Sequence, residues 1–248
     1  MFETILNPIF NPLLKFPVVL VIGIMALIIN LVITLIYKFT TDQNLMKELK
    51  DEMKELQKEM RELKKDPKRM MEVQKKAMAT NMKYMSHSLR STIFTFIPII
   101  LLFGWMNSHL AYEPIRPNID FTTTVIFKNG VQGTVELIVP QGITIDGPRN
   151  KTITEGIAKW VLRGEEGAYI LEYRINNNTY QKELLITNKQ EYKPPIKKIN
   201  DNIIKQIQID HKKMKVINIF GLKLGWLASY IILSLVFSIF LRKLFKVY

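Results

Sequence analysis

Three stretches without a single Asp, Glu, Lys or Arg dominate the chain: residues 16–37, 91–112 and 224–241. Each approaches the roughly 20 apolar residues that a helix needs to cross a bilayer. Hydrocarbon offers no partner for a free N–H or C=O, so a run of this kind must be a helix. Three such runs at wide spacing predict an α-helical membrane protein with three transmembrane helices. For the first run the competing reading is a cleaved signal peptide. The run is longer than a typical signal core, and it is followed by Lys38 and a charged segment where a small-residue cleavage site would stand. It therefore reads as a retained anchor. Residues 1–15 before it carry Asn7-Pro8 and Asn11-Pro12 and predict a short, broken interfacial segment.

The formal charge of +13 is then a statement about topology and anionic lipid before it is one about nucleic acid. Residues 38–90 hold fourteen Lys and Arg against nine Asp and Glu, and the tail 242–248 adds Arg242, Lys243 and Lys246 with no acid. Just beyond the second run, residues 113–130 hold two of each sign. The positive-inside rule gives an N-terminus outside, residues 38–90 in the cytosol, the long 113–223 segment outside, and a cytosolic C-terminus in the cell membrane. Lys212, Lys213, Lys215 and Lys223 oppose this assignment, but a long translocated segment weighs little in it. Two sequons, at Asn150 and Asn177, fall in the expected exterior segment. The absence of cysteine excludes disulfides, zinc–thiolate sites and thiol nucleophiles.

Residues 44–64 are nearly all strong helix formers. Met46, Leu49, Met53, Leu56, Met60 and Leu63 recur at spacings of three and four, the a/d seam of a coiled coil. Asp66-Pro67 breaks the helix, and Pro67 suits the first turn of the next. A second helix is expected to about Arg90, with Met70, Met71, Met78, Met82 and Met85 as its apolar residues, so that 38–90 forms a cytosolic antiparallel coiled-coil hairpin. Eight of the twelve methionines fall here. They are either plain seam residues or an adaptable surface for varied clients, since Met repacks easily. The basic tip, Lys64, Lys65, Lys68 and Arg69, is either a solvated turn or a charge-driven contact to RNA or lipid. Met53, Met60, Met78, Met82, Met85 and these four cations are the candidate client or ribosome contacts.

From residue 119 to about 188 short alternating runs are separated by turn signals. Asn129-Gly130 predicts a hairpin between 122–127 and 131–139. Runs at 157–162, 168–175 and 180–186 read as further strands. A small extracellular β-sandwich over 113–195 is expected, followed by a linker or membrane-surface segment, 196–223, ahead of the third span.

Nothing in the chain points to covalent chemistry. His87, His109 and His211 are scattered, Glu165-Glu166 lies in a Gly-flanked turn, and phosphate-loop, nucleophile-elbow and dinucleotide motifs are missing. No enzyme activity, metal or cofactor is expected. The spans do carry polar residues: Asn30 and Thr34 four apart, Thr92 and Thr95 near Pro98, and Tyr230, Ser234 and Ser238 at spacing four. These are either interhelical hydrogen-bond partners or the lining of a hydrophilic groove open to the cytosol.

The order of features resembles the YidC/Oxa/Get/EMC superfamily of membrane-protein insertases, in particular its minimal archaeal branch. The residues that carry the resemblance are Thr41-Asp42-Gln43 after the first span, the charged coiled coil, Asp66-Pro67, Ile97-Pro98-Ile99 in the second span, the run from Phe220 to Tyr230 opening the third, and Arg242-Lys243 at its close. The resemblance implies a three-helix core, a cytosolic hairpin and a cytosol-facing polar groove. The expected function is an insertase or chaperone that receives hydrophobic segments of client membrane proteins. Membrane lipids are further partners, and a ribosome, a translocon or partner subunits are open alternatives. The rival reading is a membrane-anchored structural or receptor protein acting through its exterior β domain.

Overall fold

The structure, a computed structural model, describes residues 2–63, 66–219 and 221–247, with the side chains of Phe2, Glu3 and Arg90 outside that description. Lys64 and Lys65 of the basic tip therefore lie outside the described residues. The chain divides into two compact units: residues 17–105 with 227–248, and residues 4–16 with 106–226.

Helix α1 (Phe2–Phe10) and a 3-10 turn (Asn11–Lys15) precede α2 (Val18–Thr40). Pro17 stands just before α2, where its missing N–H costs nothing. The other end of α2 is closed by hydroxyls: Thr40 and Thr41 Oγ1 donate to the carbonyls of Ile36 and Tyr37 at 2.7 and 2.5 Å. Asp42 then caps α3 (Gln43–Glu62), accepting from the N–H groups of Asn44 and Leu45 at 3.0 and 3.2 Å. The Thr-Asp-Gln triplet is thus a helix stop followed at once by a helix start. Asp66 repeats the device for α4 (Pro67–Leu110), accepting from Arg69 N–H at 3.2 Å, with Pro67 as its first residue. Helix α5 (Trp226–Leu244) ends the fold.

Among the described residues three helices are long and apolar enough to cross a membrane: Val18–Thr40, Ser91–Leu110 within α4, and Trp226–Leu244. The expected boundary near Arg90 is not a helix end. Helix α4 runs for 44 residues through Pro98, so the second helix after Asp66-Pro67 and the second span are one element. Residues 86–95 contain no Gly or Pro to break the helix, and the hydroxyls of Thr92 and Thr95 bond back to carbonyls of α4 instead of capping a new helix.

In the first unit the α3 seam is buried at Met46, Leu49 and Leu56 and half-buried at Met53, Met60 and Leu63. On α4 the buried face is a different one from that expected. Val73 and Thr80 are buried and Met70, Ala77 and Tyr84 half-buried, a run at spacings of three and four. Thr80 Oγ1 donates to Glu52 Oε1 at 3.1 Å, tying α4 to α3. Met71, Met78, Met82 and Met85, expected on the seam, are exposed.

Among the described residues the second unit holds three antiparallel sheets, two of which build its core. One has the order β3 (Ile143–Asp146), β5 (Ile157–Gly164), β1 (Phe121–Phe127), β9 (Ile204–Ile209), β8 (Ile196–Lys198). The other has the order β4 (Asn150–Thr152), β2 (Thr134–Ile138), β6 (Gly167–Ile175), β7 (Asn178–Ile186). Their apolar residues form one core around Val125, Trp160, Leu171, Tyr173 and Ile207. Two expectations fail here. Asn129-Gly130 does not make a β1–β2 hairpin, because β1 pairs with β5 and β9 and β2 lies in the other sheet. The tight hairpin turn needs positive φ at both central residues, and only Gly130, at 83°, has it. Residues 196–223 are also no linker: β8 and β9 extend the larger sheet, and β10 (Lys215–Ile219) pairs with β11 (Leu222–Gly225) directly ahead of α5. Strand β9 has no clean strand signature in the sequence, because its buried residues, Ile204, Ile207 and Ile209, do not alternate strictly; the register slips opposite Ile126 and Phe127.

Candidate functional site

The polar residues of the apolar helices gather at two levels of the first unit. At the inner level Asn30, 5% exposed, donates through Nδ2 to its own helix at Ala26 O and across to Ser234 Oγ, both at 2.8 Å. Tyr230 is buried, is hydrogen-bonded to Ser234, and meets the Phe103 ring edge-on at 4.8 Å. Residues from α2, α4 and α5 therefore meet here. Thr34 is buried and spends its hydroxyl on Asn30 O at 2.7 Å, so it links no second helix by that bond.

The second level lies toward the Thr40 end of α2. Tyr37 interacts with Tyr84 and Ser88 of α4, and the Arg242 guanidinium of α5 stands 5.8 Å from the Tyr37 ring. Lys38 Nζ lies 5.7 Å from the ring of Phe245. Both cations sit on aromatic faces, an arrangement that keeps a charge near apolar surface. Thr92, exposed, donates to Ser88 O at 3.1 Å, and Thr95, buried, donates to Thr92 O at 2.8 Å. Ser238 is half-buried. Ser91 is fully buried, and its Oγ has no hydrogen-bond partner among the described residues. A buried hydroxyl without a partner carries a desolvation cost of about 1–3 kcal/mol, so this level is built less completely than the other.

Tyr37, Tyr84, Ser88 and Arg242 were missed by sequence reasoning, although the signal was there. Arg242 is the next step of the stripe Tyr230, Ser234, Ser238 at spacing four, and Tyr37 continues Asn30 and Thr34. Tyr37 is the last residue of the first charge-free run, and Arg242 is the first residue beyond the third.

The second feature of this unit is the outer face of α4. Met71, Met78, Met82, Met85, Leu89, Ile93, Phe96 and Ile100 are each 48–68% exposed. Their spacings, 7, 4, 3, 4, 4, 3 and 4, keep all eight on one side of the helix. Over these 29 steps the stripe extends about 44 Å. From Ile93 onward such exposure suits lipid. From Met71 to Leu89 the helix also carries Lys75, Lys76 and Lys83, so this apolar face lies in a charged segment. Lys68 and Arg69 at its start are exposed.

In the second unit two bases stand out, Lys182, which is buried, and His211, which is half-buried. Lys182, in the outer strand β7, is 3% exposed and donates to Glu183 O and Pro194 O at 3.0 and 2.6 Å. Burial pushes it down to about 8. A lysine pointing inward from an outer strand discourages edge-to-edge pairing. His211 contacts Glu113 O at 3.0 Å and faces the rings of Tyr112 and Tyr192; its pKa is lowered, chiefly by burial. Among the described residues no group of three or more His, Asp or Glu is placed to hold a metal ion.

A family model described as "Integral membrane protein EMC3/TMCO1-like" matches residues 3–140, more than half of the chain, from α1 through β2. No curated protein and no solved structure matches.

Proposed function

The chain belongs to the EMC3/TMCO1-like family of integral membrane proteins, within the YidC/Oxa/Get/EMC insertase superfamily, and on that premise we propose that it inserts client membrane proteins by a path that starts on α4. The family supports an insertase-related function and client membrane proteins as partners. The observation that carries the finer reading is the apolar stripe of α4, which runs from a charged segment into an apolar one. A hydrophobic client segment would leave water along Met71, Met78, Met82 and Met85 and reach lipid along Ile93, Phe96 and Ile100. Met suits this role because its flexible thioether fits many partners.

The polar level at Tyr37, Ser88, Thr92, Ser238 and Arg242 would shelter the hydrophilic tail that must follow the client. A cation beside hydroxyls lowers the cost of bringing an acidic tail into a partly dry space. In this reading α3 and the first half of α4 form a cytosolic coiled-coil hairpin, the N-terminus is outside and the C-terminus cytosolic. No covalent step is required.

The test is insertion of single-span clients into vesicles that contain the purified chain. A triple variant, Met78→Asp, Met82→Asp, Met85→Asp, changes exposed residues only and should fold. Burying even one such side chain is worth about 1.5 kcal/mol, so insertion of every client should fall by roughly tenfold or more. Arg242→Gln should slow clients with acidic tails and spare those with neutral tails. Wild-type rates for the triple variant would refute the α4 path. An equal loss for both tail types with Arg242→Gln would refute the role given to the polar level.

A further inference from the structure

The second unit has a cavity of about 1120 Å³ between the N-terminal segment and the loops after α4 and β7. It is slightly larger than the usual range for sites that take small molecules, roughly 300–1,000 Å³. Its wall carries three cations, Lys15, Arg116 and Lys189, against one carboxylate, Glu191. None of the three cations lies within ion-pair distance of a carboxylate among the described ion pairs. Asn11 and Asn188 add amide donors to the same wall. Convergent cations, a guanidinium and amide donors make a site for a phosphate group, which Arg can bind through two parallel hydrogen bonds.

What separates a lipid phosphate from a soluble one is the surrounding chain. Lys15 is three residues ahead of Val18, the first residue of α2, and three extended residues reach about 11 Å at most. A phosphate held at Lys15 is therefore at headgroup depth when α2 spans the bilayer. The segment that forms this wall has two faces. Asn7 and Asn11 line the cavity, whereas Ile5 and Ile9, one turn apart, are 65% and 61% exposed. A short helix with an exposed apolar face directly before a span lies in the membrane interface, where acyl chains cover that face. We infer that this cavity binds the headgroup of an anionic phospholipid, with the phosphate held by Lys15, Arg116 and Lys189 and the acyl chains along Ile5 and Ile9. This site is independent of the α4 path, and its test does not use insertion.

The full chain, purified in detergent with equal amounts of phosphatidylglycerol and phosphatidylcholine, should retain phosphatidylglycerol preferentially in native mass spectrometry. Lys15→Gln, Arg116→Gln and Lys189→Gln should each lower that preference by roughly fivefold, the effect of one cation near a lipid surface. Arg116→Lys keeps the charge but loses the paired geometry, and should fall between wild type and Arg116→Gln. Lys223→Gln, outside the cavity, should leave the preference unchanged. Millimolar inorganic phosphate should fail to displace the lipid. Unfolding midpoints of the single variants should match wild type, so lost binding is not lost structure. An equal effect of Lys223→Gln would mean general charge attraction and overturn the site. Displacement by inorganic phosphate would make it a soluble-phosphate site and overturn the lipid assignment. No preference in the wild type would overturn both.

Discussion

The bond from Asn30 Nδ2 to Ser234 Oγ decides whether the inner polar level is structural or wet. At 2.8 Å, with Asn30 5% exposed, it has the geometry of a direct interhelical hydrogen bond. Asn30 also donates to Ala26 O at 2.8 Å, and that bond stays within α2. Replacing Asn30 with Ala removes both; replacing Ser234 with Ala removes only the cross-helix bond and leaves Nδ2 with one partner. A double-mutant cycle isolates the shared part. Hydrogen bonds of this kind between membrane helices contribute about 0.6 kcal/mol on average and up to ~1.7, a factor of roughly 3 to 18 in the unfolding constant. We expect a coupling of about 1 kcal/mol, since the donor is buried and the distance is short. Four proteins would be unfolded by a denaturing detergent in mixed micelles and followed by tryptophan fluorescence. In parallel, a cysteine at position 30 should resist water-soluble thiol reagents, because the site is dry. Strict additivity within about 0.3 kcal/mol, together with rapid labelling, would refute the reasoning and return Asn30 to the groove.

Three further outcomes follow from single residues. Lys182 titrates at about 8 in the folded protein against an ordinary 10.5, so the unfolded chain holds the proton more tightly between those values. Resistance to unfolding should therefore gain up to about 3 kcal/mol from Lys182 between pH 8 and pH 10.5 and nothing from it below pH 8, and Lys182→Met should remove that slope. A methyl added by Gly164→Ala would lie 2.6 Å from Ile186 Cδ1 and 3.2 Å from Gly142 O, besides meeting Ile143 Cδ1. Such overpacking should cost about 1–3 kcal/mol in thermal unfolding, with local loss of hydrogen-exchange protection in β3 and β5. Cysteines at Lys68 and Asn150 should be labelled from opposite sides of sealed vesicles; labelling from one side would refute the orientation read from charge.

The three spans were legible because a charge-free run of that length has few other fates, and the α3 seam was legible because Leu and Met mark it cleanly. The facing seam of α4 was not. Its inward residues are Val73, Ala77, Thr80 and Tyr84, followed down the helix by Ser88 and Ser91, while its methionines point outward. A reading that ranks residues by hydrophobicity chooses the methionine face. Close approach of two helices instead favours small side chains on the shared face, in lipid especially. The same ranking hid β9, whose buried Ile residues are spaced by a register slip, and it hid Arg242, since a charge next to a span reads as a topology signal and not as a member of the stripe above it. In each case the missing information was which neighbour the residue would meet.

The continuity of α4 matters more to the proposed function than any single residue on it. Had the helix ended near Arg90, its two halves could have rotated independently, and an apolar face in water would carry no relation to one in lipid. A single 44-residue helix fixes that relation. Each residue turns the helix by about 100°. The intervals from Met85 to Leu89 and from Leu89 to Ile93 are four residues each, so the face drifts by only some 40° per step and the next interval of three brings it back. Pro98, which removes one backbone N–H inside the helix, lies beyond most of the stripe and does not end it. The buried face is phased in the same way: Thr80, Tyr84, Ser88, Ser91 and Thr95 follow one another toward the apolar segment. One helix therefore carries an apolar track on its outside and a polar ladder on its inside, and a client with a hydrophobic segment and a hydrophilic tail has both of these needs. A receptor anchored by its β domain would need neither the exposed methionines nor their alignment with the span.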